Sequence, residues 1–274
     1  MNWFHWKRKE PPPPEPAFTP AERCLSYRGA NLQGIGARAE QQDAFAFVNL
    51  LDVTSIREQG ILAVVADGMG GMEGGAYAGQ TAVQHIREAF QAMDRTASFY
   101  GQLANAFQEA SRVIFGKLRG TGGTTAVACV IYDEKLWFAS VGDSFLYLKR
   151  GGELYRLNSE QTILHEQYLD AIREHNVRSG AVEPDEESRS VSGFLGMGHI
   201  PDIDGFRRPF PLEDGDLLLL CSDGVAGVLT EEDLMFALAH PLPQEMCMDL
   251  ERMILAKKRR YQDNYTALLL QCIY

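Results

Sequence analysis

The chain has 274 residues, of which 45% are hydrophobic, 23% charged and 10% aromatic, a composition that excludes a disordered or fibrous protein. Lys and Arg number 26 against 37 Asp and Glu, a net charge of −11. That charge repels a phosphate backbone and excludes nucleic acid as a partner.

Residues Met1 to Pro20 stand apart, because Pro11 to Pro14, Pro16 and Pro20 remove backbone donors and favour an extended segment. Residues 1–20 are expected to be a disordered tail. Its Trp3, Phe4 and Trp6 beside Lys7, Arg8 and Lys9 suit a membrane interface or a partner groove, but so few residues bury too little to anchor alone. From residue 21 to 274 no repeat and no second Pro-rich linker interrupts the chain, so one domain is expected.

Period-two or continuous apolar runs predict strands at Ala44–Val48, Ile61–Ala66, Thr124–Tyr132, Leu136–Val141, Phe145–Leu148, Leu154–Leu157, Leu217–Cys221 and Thr266–Ile273. The four from Thr124 to Leu157 are joined by Asp133-Glu134, Gly142-Asp143-Ser144 and Gly151-Gly152, and read as an antiparallel meander with tight turns. Helical spacing appears in Ala78, Ala82, Ile86 and Phe90, in Leu103, Phe107, Ala110, Ile114 and Leu118, and in Met246, Leu250, Met253 and Ile254. Helices grouped between runs of strands predict a layered α+β sandwich and not a Rossmann sheet. Asn158 to Pro211 is a long polar stretch with a helical part around Ile163 to Ile172, expected to form a flap.

The five cysteines, Cys24, Cys129, Cys221, Cys247 and Cys272, include no close pair. This excludes CxxC metal or redox chemistry and points to a reducing cytoplasm. No apolar run is long enough for a membrane span, and the N-terminus lacks the order of a signal peptide. A cytoplasmic monomer is expected.

The aspartates carry the chemistry. Ile61–Ala66 ends in Asp67-Gly68-Met69-Gly70-Gly71, Leu217–Cys221 ends in Ser222-Asp223-Gly224, and Leu136–Val141 ends in Gly142-Asp143-Ser144. Asp43 heads the strand at Ala44, and Asp263-Asn264 precedes the strand at Thr266. One such aspartate is an ordinary turn residue. Five at strand mouths converge if two sheets stack, and converging carboxylates repel unless a cation lies between them. Oxygen donors without His or Cys select Mg²⁺, Mn²⁺ or Ca²⁺. The glycines after Asp67 fit neither GxGxxG nor a Walker A loop, and the scattered aspartates exclude an EF-hand.

In this order, Gly36-x-Arg38 with Gln42-Asp43, Asp67-Gly68-Met69-Gly70-Gly71, Gly123-Thr124-Thr125, Val141-Gly142-Asp143-Ser144, Ser222-Asp223-Gly224 and Asp263-Asn264-x-Thr266 resemble the type 2C metal-dependent protein serine/threonine phosphatases. The resemblance implies two stacked antiparallel β-sheets flanked by helices, a four-layer α-β-β-α sandwich, and two Mn²⁺ or Mg²⁺ ions at one end, with Asp67 bridging both and the Gly68 carbonyl on one. It implies Asp223 and Asp263 on the other ion, Asp43 nearby, and Asp143 with Asp223 at a weaker third site. Arg38 corresponds to the residue that holds the substrate phosphate, for which a guanidinium fork is suited. Two ions ~4 Å apart acidify a shared water enough for direct in-line attack on phosphorus, with no covalent phosphoenzyme.

Three positions depart from the family pattern. Gln42 stands where many members have Glu, Met69 where some have His, and Glu160-Gln161 where Asp-His is common. Without that histidine, the leaving alkoxide takes its proton from water; His85, His165 and His199 read as structural or solvated. The expected function is hydrolysis of phosphoserine and phosphothreonine in proteins, with Ser/Thr kinases or their targets as partners in the bacterial branch. A pseudophosphatase binding phosphoproteins without turnover, and a small-molecule phosphoesterase, are the alternatives.

Overall fold

A computed structural model describes residues 24–175, 188, 190–200 and 202–274. The expected tail at 1–20 and parts of the expected flap, residues 176–187, 189 and 201, lie outside the described residues. In chain order the elements are β1 (Ser26–Gly34), β2 (Ala44–Val48), α1 (Val53–Gln59), β3 (Ile61–Ala66), β4 (Gly68–Met69), α2 (Gly71–Ala92) and α3 (Phe99–Leu118). There follow β5 (Gly123–Thr124), β6 (Ala126–Tyr132), β7 (Lys135–Val141), β8 (Phe145–Arg150), β9 (Glu153–Arg156) and α4 (Ile163–Arg173). The chain ends with β10 (Asp204–Gly205), β11 (Phe210–Pro211), β12 (Leu217–Cys221), α5 (Asp223–Ala226), α6 (Glu231–Ala237), α7 (Pro243–Ala256) and β13 (Tyr265–Ile273).

Two antiparallel sheets result. One has the order β1-β13-β12-β8-β9, the other β10-β7-β6-β3-β2 with β11 also on β7. Strand parity explains why they stack. In β3, Ile61, Ala63 and Val65 face the partner sheet, while Leu62, Val64 and Ala66 face helices α2 and α3. In β12, Leu218 and Leu220 meet the partner sheet, and Leu217, Leu219 and Cys221 face α6 and α7. Every residue of β3 and β12 is buried, at roughly 1.5–3 kcal/mol for each large side chain. The architecture is the α-β-β-α sandwich that the family resemblance implies.

The predicted meander needs correction. β6 and β7 pair through the Asp133-Glu134 turn, where both residues have positive φ, and β8 pairs with β9 through Gly151-Gly152. β7 and β8 do not pair: β8 joins β12 in the other sheet. Gly142-Asp143-Ser144 is therefore a crossover between sheets, not a hairpin. Gly142 has φ +99° there, and a Cβ on it would meet the Thr125 side chain at 2.6 Å, so the crossing requires glycine. The predicted strand Thr124–Tyr132 is likewise broken at Thr125, because its first part pairs with β4 and its second with β3.

The stretch 158–211 is tied down at both ends. Asn158, 3% exposed, donates to the Ser144 carbonyl at 2.8 Å and accepts from the Leu146 amide at 2.8 Å. Leu195, Ile200 and Ile203 pack into the core against α2 and α3, and β10 and β11 add to the edge at β7.

Candidate metal centre

The five aspartates meet where the two sheets end. Asp43 and Asp67 are carried by β2 and β3 of the six-stranded sheet, Asp223 and Asp263 flank β12 and β13 of the other, and Asp143 sits on the crossover. A cavity of about 490 Å³ opens there, lined by Arg38, Gln42, Asp67, Gly68, Met69, Thr125, Asp143, Val191, Asp223 and Asp263 among others. Asp43 lies buried beneath it, 6% exposed.

Backbone and neutral side chains hold these carboxylates. The Asp67 carbonyl accepts from the Thr125 amide and the Thr124 hydroxyl, both at 2.9 Å. Thr125 Oγ1 hydrogen-bonds Ser144 Oγ at 2.7 Å, tying this corner to the crossover. Ser222 Oγ donates to Asp43 Oδ2 at 2.9 Å and accepts from the Thr266 amide at 3.0 Å. Gln161 accepts from the Gly142 amide at 3.0 Å and so braces the Asp143 turn. A Cβ at Gly68 would meet the carbonyls of Gly75 and Gln42 at 2.2 and 2.6 Å, so only glycine fits beside Asp67. Arg38 donates from its guanidinium to Asp263 Oδ2 at 2.5 Å, in a pair that is more than a third exposed on both sides.

Burial and mutual repulsion of the carboxylates dominate the electrostatics. Burial raises the Asp43 carboxyl to about 6, with Asp223 adding to the rise, although Thr266 and Ser222 work against it. Burial, then repulsion from Asp223, lifts Asp143 to about 7. Asp67 is driven well above the usual carboxylate range by burial and by repulsion from Asp43 and Asp223. Asp223 is raised by burial as well. Asp43 Oδ1 and Asp223 Oδ1 are buried with no hydrogen-bond partner. Orphaned anionic oxygens of this kind are costly unless a cation meets them, and the all-oxygen set suits a hard divalent ion.

Among the described residues no three His, Cys, Asp or Glu side chains form a ready-made ligand set. The Asp263 carboxylate is paired with Arg38. An ion held through Asp263 Oδ2 would compete with Arg38 for that oxygen.

The chain matches the model of the protein phosphatase 2C family over residues 34–253. It belongs to that family. The serine/threonine phosphatase stp of Listeria monocytogenes is 27% identical over 223 residues, covering 77% of this chain and 84% of that protein. PppA of Pseudomonas aeruginosa superposes with a TM-score of 0.71 at 25% identity, over 90% of this chain and 98% of its own. The catalytic domain of the phosphatase PstP, solved in complex with two manganese ions, gives 0.72 at 23% identity over 92% of this chain and all of its own. The phosphatase 2C fold is thus present from β1 to β13.

The structure brings all six sequence-predicted site aspartates and glycine to one place, with Arg38 at its lip. None of His85, His165 and His199 lines the cavity. Sequence reading quoted Thr125, Ser222 and Asn264 within motifs without assigning what they do. Their polar type at strand ends was the available signal. Gln161 stands at a departure from the family pattern, and Asn158 has no local signal of its role.

A prediction about the metal-free protein follows. Asp143 is raised above its unfolded value of about 3.9, so the stability linked to its proton is present below that value and is lost as pH rises towards 7. In EDTA, Asp143→Asn is expected to gain melting temperature over wild type as pH goes from 5 to 8, and Mn²⁺ should narrow the gap. A pH-independent difference overturns this.

Proposed function

We propose that the chain is a metal-dependent protein serine/threonine phosphatase that hydrolyses phosphoserine and phosphothreonine, acting on targets of Ser/Thr kinases. The observation that carries this is one cavity holding Asp67, Asp143, Asp223 and Asp263 with Arg38 at its entrance. Asp67, with the Gly68 carbonyl, and Asp223 with Asp263 would hold two Mn²⁺ or Mg²⁺ ions, Asp43 supporting them from below. Asp143 with Asp223 would offer a weaker third position. When bound, such an ion pair supplies a water acidic enough to attack phosphorus.

The chain's own residues do the rest. Arg38 takes two phosphate oxygens in its fork and fixes the phosphoryl group in line with the attacking water. The Ser222 and Thr266 contacts hold Asp43 ionisable within the seam. A P–O bond to water forms as the P–O bond to the Ser or Thr oxygen breaks, giving inorganic phosphate and the free hydroxyl. Met69 has no proton to give, and the cavity is open to solvent, so the leaving oxygen is protonated by water.

No described helix is long and apolar enough to cross a membrane. Cysteine chemistry is not required: Cys221 and Cys129 are fully buried, and burial pushes both thiols up, Cys129 to about 12. A phosphothreonine peptide should therefore turn over with Mn²⁺, stop in EDTA, and be indifferent to iodoacetamide. Retained turnover in EDTA with stoichiometric inactivation by iodoacetamide would overturn the reading, and tight peptide binding without turnover would favour a pseudophosphatase.

A further inference from the structure

Arg38 sits on a loop, residues 35–42, that makes neither helix nor strand. Something outside the loop must fix the guanidinium. Gly36 lies directly on the chain ahead of β13: a Cβ there would meet the Asp263 and Gln262 carbonyls at 2.3 and 2.5 Å, and the Ala37 amide donates to the Gln262 carbonyl at 2.7 Å. The densest attachment is the side chain of Asn264, 3% exposed. Its Nδ2 donates to the carbonyls of Ile35 at 2.9 Å and Glu40 at 3.1 Å, while its Oδ1 accepts from the Gln42 amide at 2.8 Å. These contacts straddle Arg38 on both sides.

We infer that Asn264 is a positioning residue for phosphate binding, acting through Arg38. The inference rests on the phosphatase reading above. A carboxamide supplies the two donors and one acceptor that this loop uses. A carboxylate of the same size keeps the bond from Gln42 but faces two carbonyls with no proton to give. The neighbouring metal-ligand candidate is held independently, because Asp263 Oδ1 accepts from the Asn264 backbone amide at 2.8 Å, a bond that side-chain substitution leaves in place. Loss of the clamp should therefore misplace the guanidinium without moving Asp263.

The test is a double-mutant cycle on the Mn²⁺-loaded protein with Asn264→Asp, backed by Asn264→Ala, in wild-type and Arg38→Ala backgrounds. Asn264→Asp should lower kcat/KM for a phosphothreonine peptide and weaken inorganic phosphate binding, by up to the ~10-fold to 150-fold that loss of a charged hydrogen bond allows. In the Arg38→Ala background the same change should have less than about a twofold effect. Calorimetry should give Mn²⁺ affinity within about threefold of wild type. Additive losses, a large fall in Mn²⁺ affinity, or loss of cooperative unfolding in both variants each overturn the assignment. Phosphate binding is read without turnover, so an inactive wild-type protein defeats the phosphatase reading and leaves this measurement decisive for Asn264.

Discussion

Asp67→Asn is expected to remove turnover while making the metal-free protein harder to melt. On the proposed reading Asp67 would be shared by both ions, and altering even an outer partner of a metal ligand typically costs 10-fold to 100-fold; loss of the shared ligand should exceed about 100-fold in kcat. The same carboxyl is raised well above its ordinary range by burial and by Asp43 and Asp223, so its charge opposes folding near pH 8. A neutral amide of equal size removes that penalty and keeps the backbone bonds from Thr124 and Thr125. In EDTA at pH 8 the variant should melt above wild type, whereas added Mn²⁺ should raise its melting temperature less. A variant that binds two ions and turns over normally, or that is simply less stable in EDTA, contradicts the placement of Asp67.

Arg38→Ala tests the other half of the site. If the guanidinium clamps phosphate, its loss costs about 1.5–3 kcal/mol, or ~10-fold to 150-fold in kcat/KM. A surface arginine in a turn would cost under about 0.5 kcal/mol. The pair with Asp263 adds a second expectation. Since both partners are largely exposed, the ion pair contributes no more than about 1 kcal/mol, so freeing Asp263 should tighten Mn²⁺ binding by at most about fivefold. Steady-state kinetics and metal calorimetry on one variant read both quantities. A kinetically silent variant, or one that loses Mn²⁺ affinity, removes Arg38 from the phosphate site.

The parts of the fold legible in sequence are those whose signal is local. β3 and β12 were bounded to the residue because each is a continuous apolar run stopped by an aspartate. β1 was missed: it is an edge strand in which only Leu32 is buried, and its sequence SYRGANLQG shows no alternation. α6 was missed although Thr230 and Asp233 form a capping box, which was available as a start signal. The crossover at Gly142 was misread because a glycine-rich turn has the same local chemistry whether the next strand returns beside its neighbour or leaves for another sheet. Only the pairing of β8 with β12 decides that. The aspartates are legible because each lies at one end of an apolar strand, after it or before it. Asn264 acts on residues more than 220 positions away, and nothing in its neighbourhood announces the contact.

The seam at which the carboxylates meet has a mechanical consequence. Asp43 and Asp67 belong to one sheet, Asp223 and Asp263 to the other, and the layer between the sheets is built largely of apolar side chains such as Val65, Leu146, Leu220 and Leu268. Such contacts are non-directional and let layers slide. Under the proposed reading, ions held from both sides would act as rivets, and the loaded sandwich should resist shear more than the metal-free one. Ion affinity and the fit between the sheets then become one property of the molecule. A void opened deep between the layers, far from any aspartate, is felt at the seam as weaker metal binding.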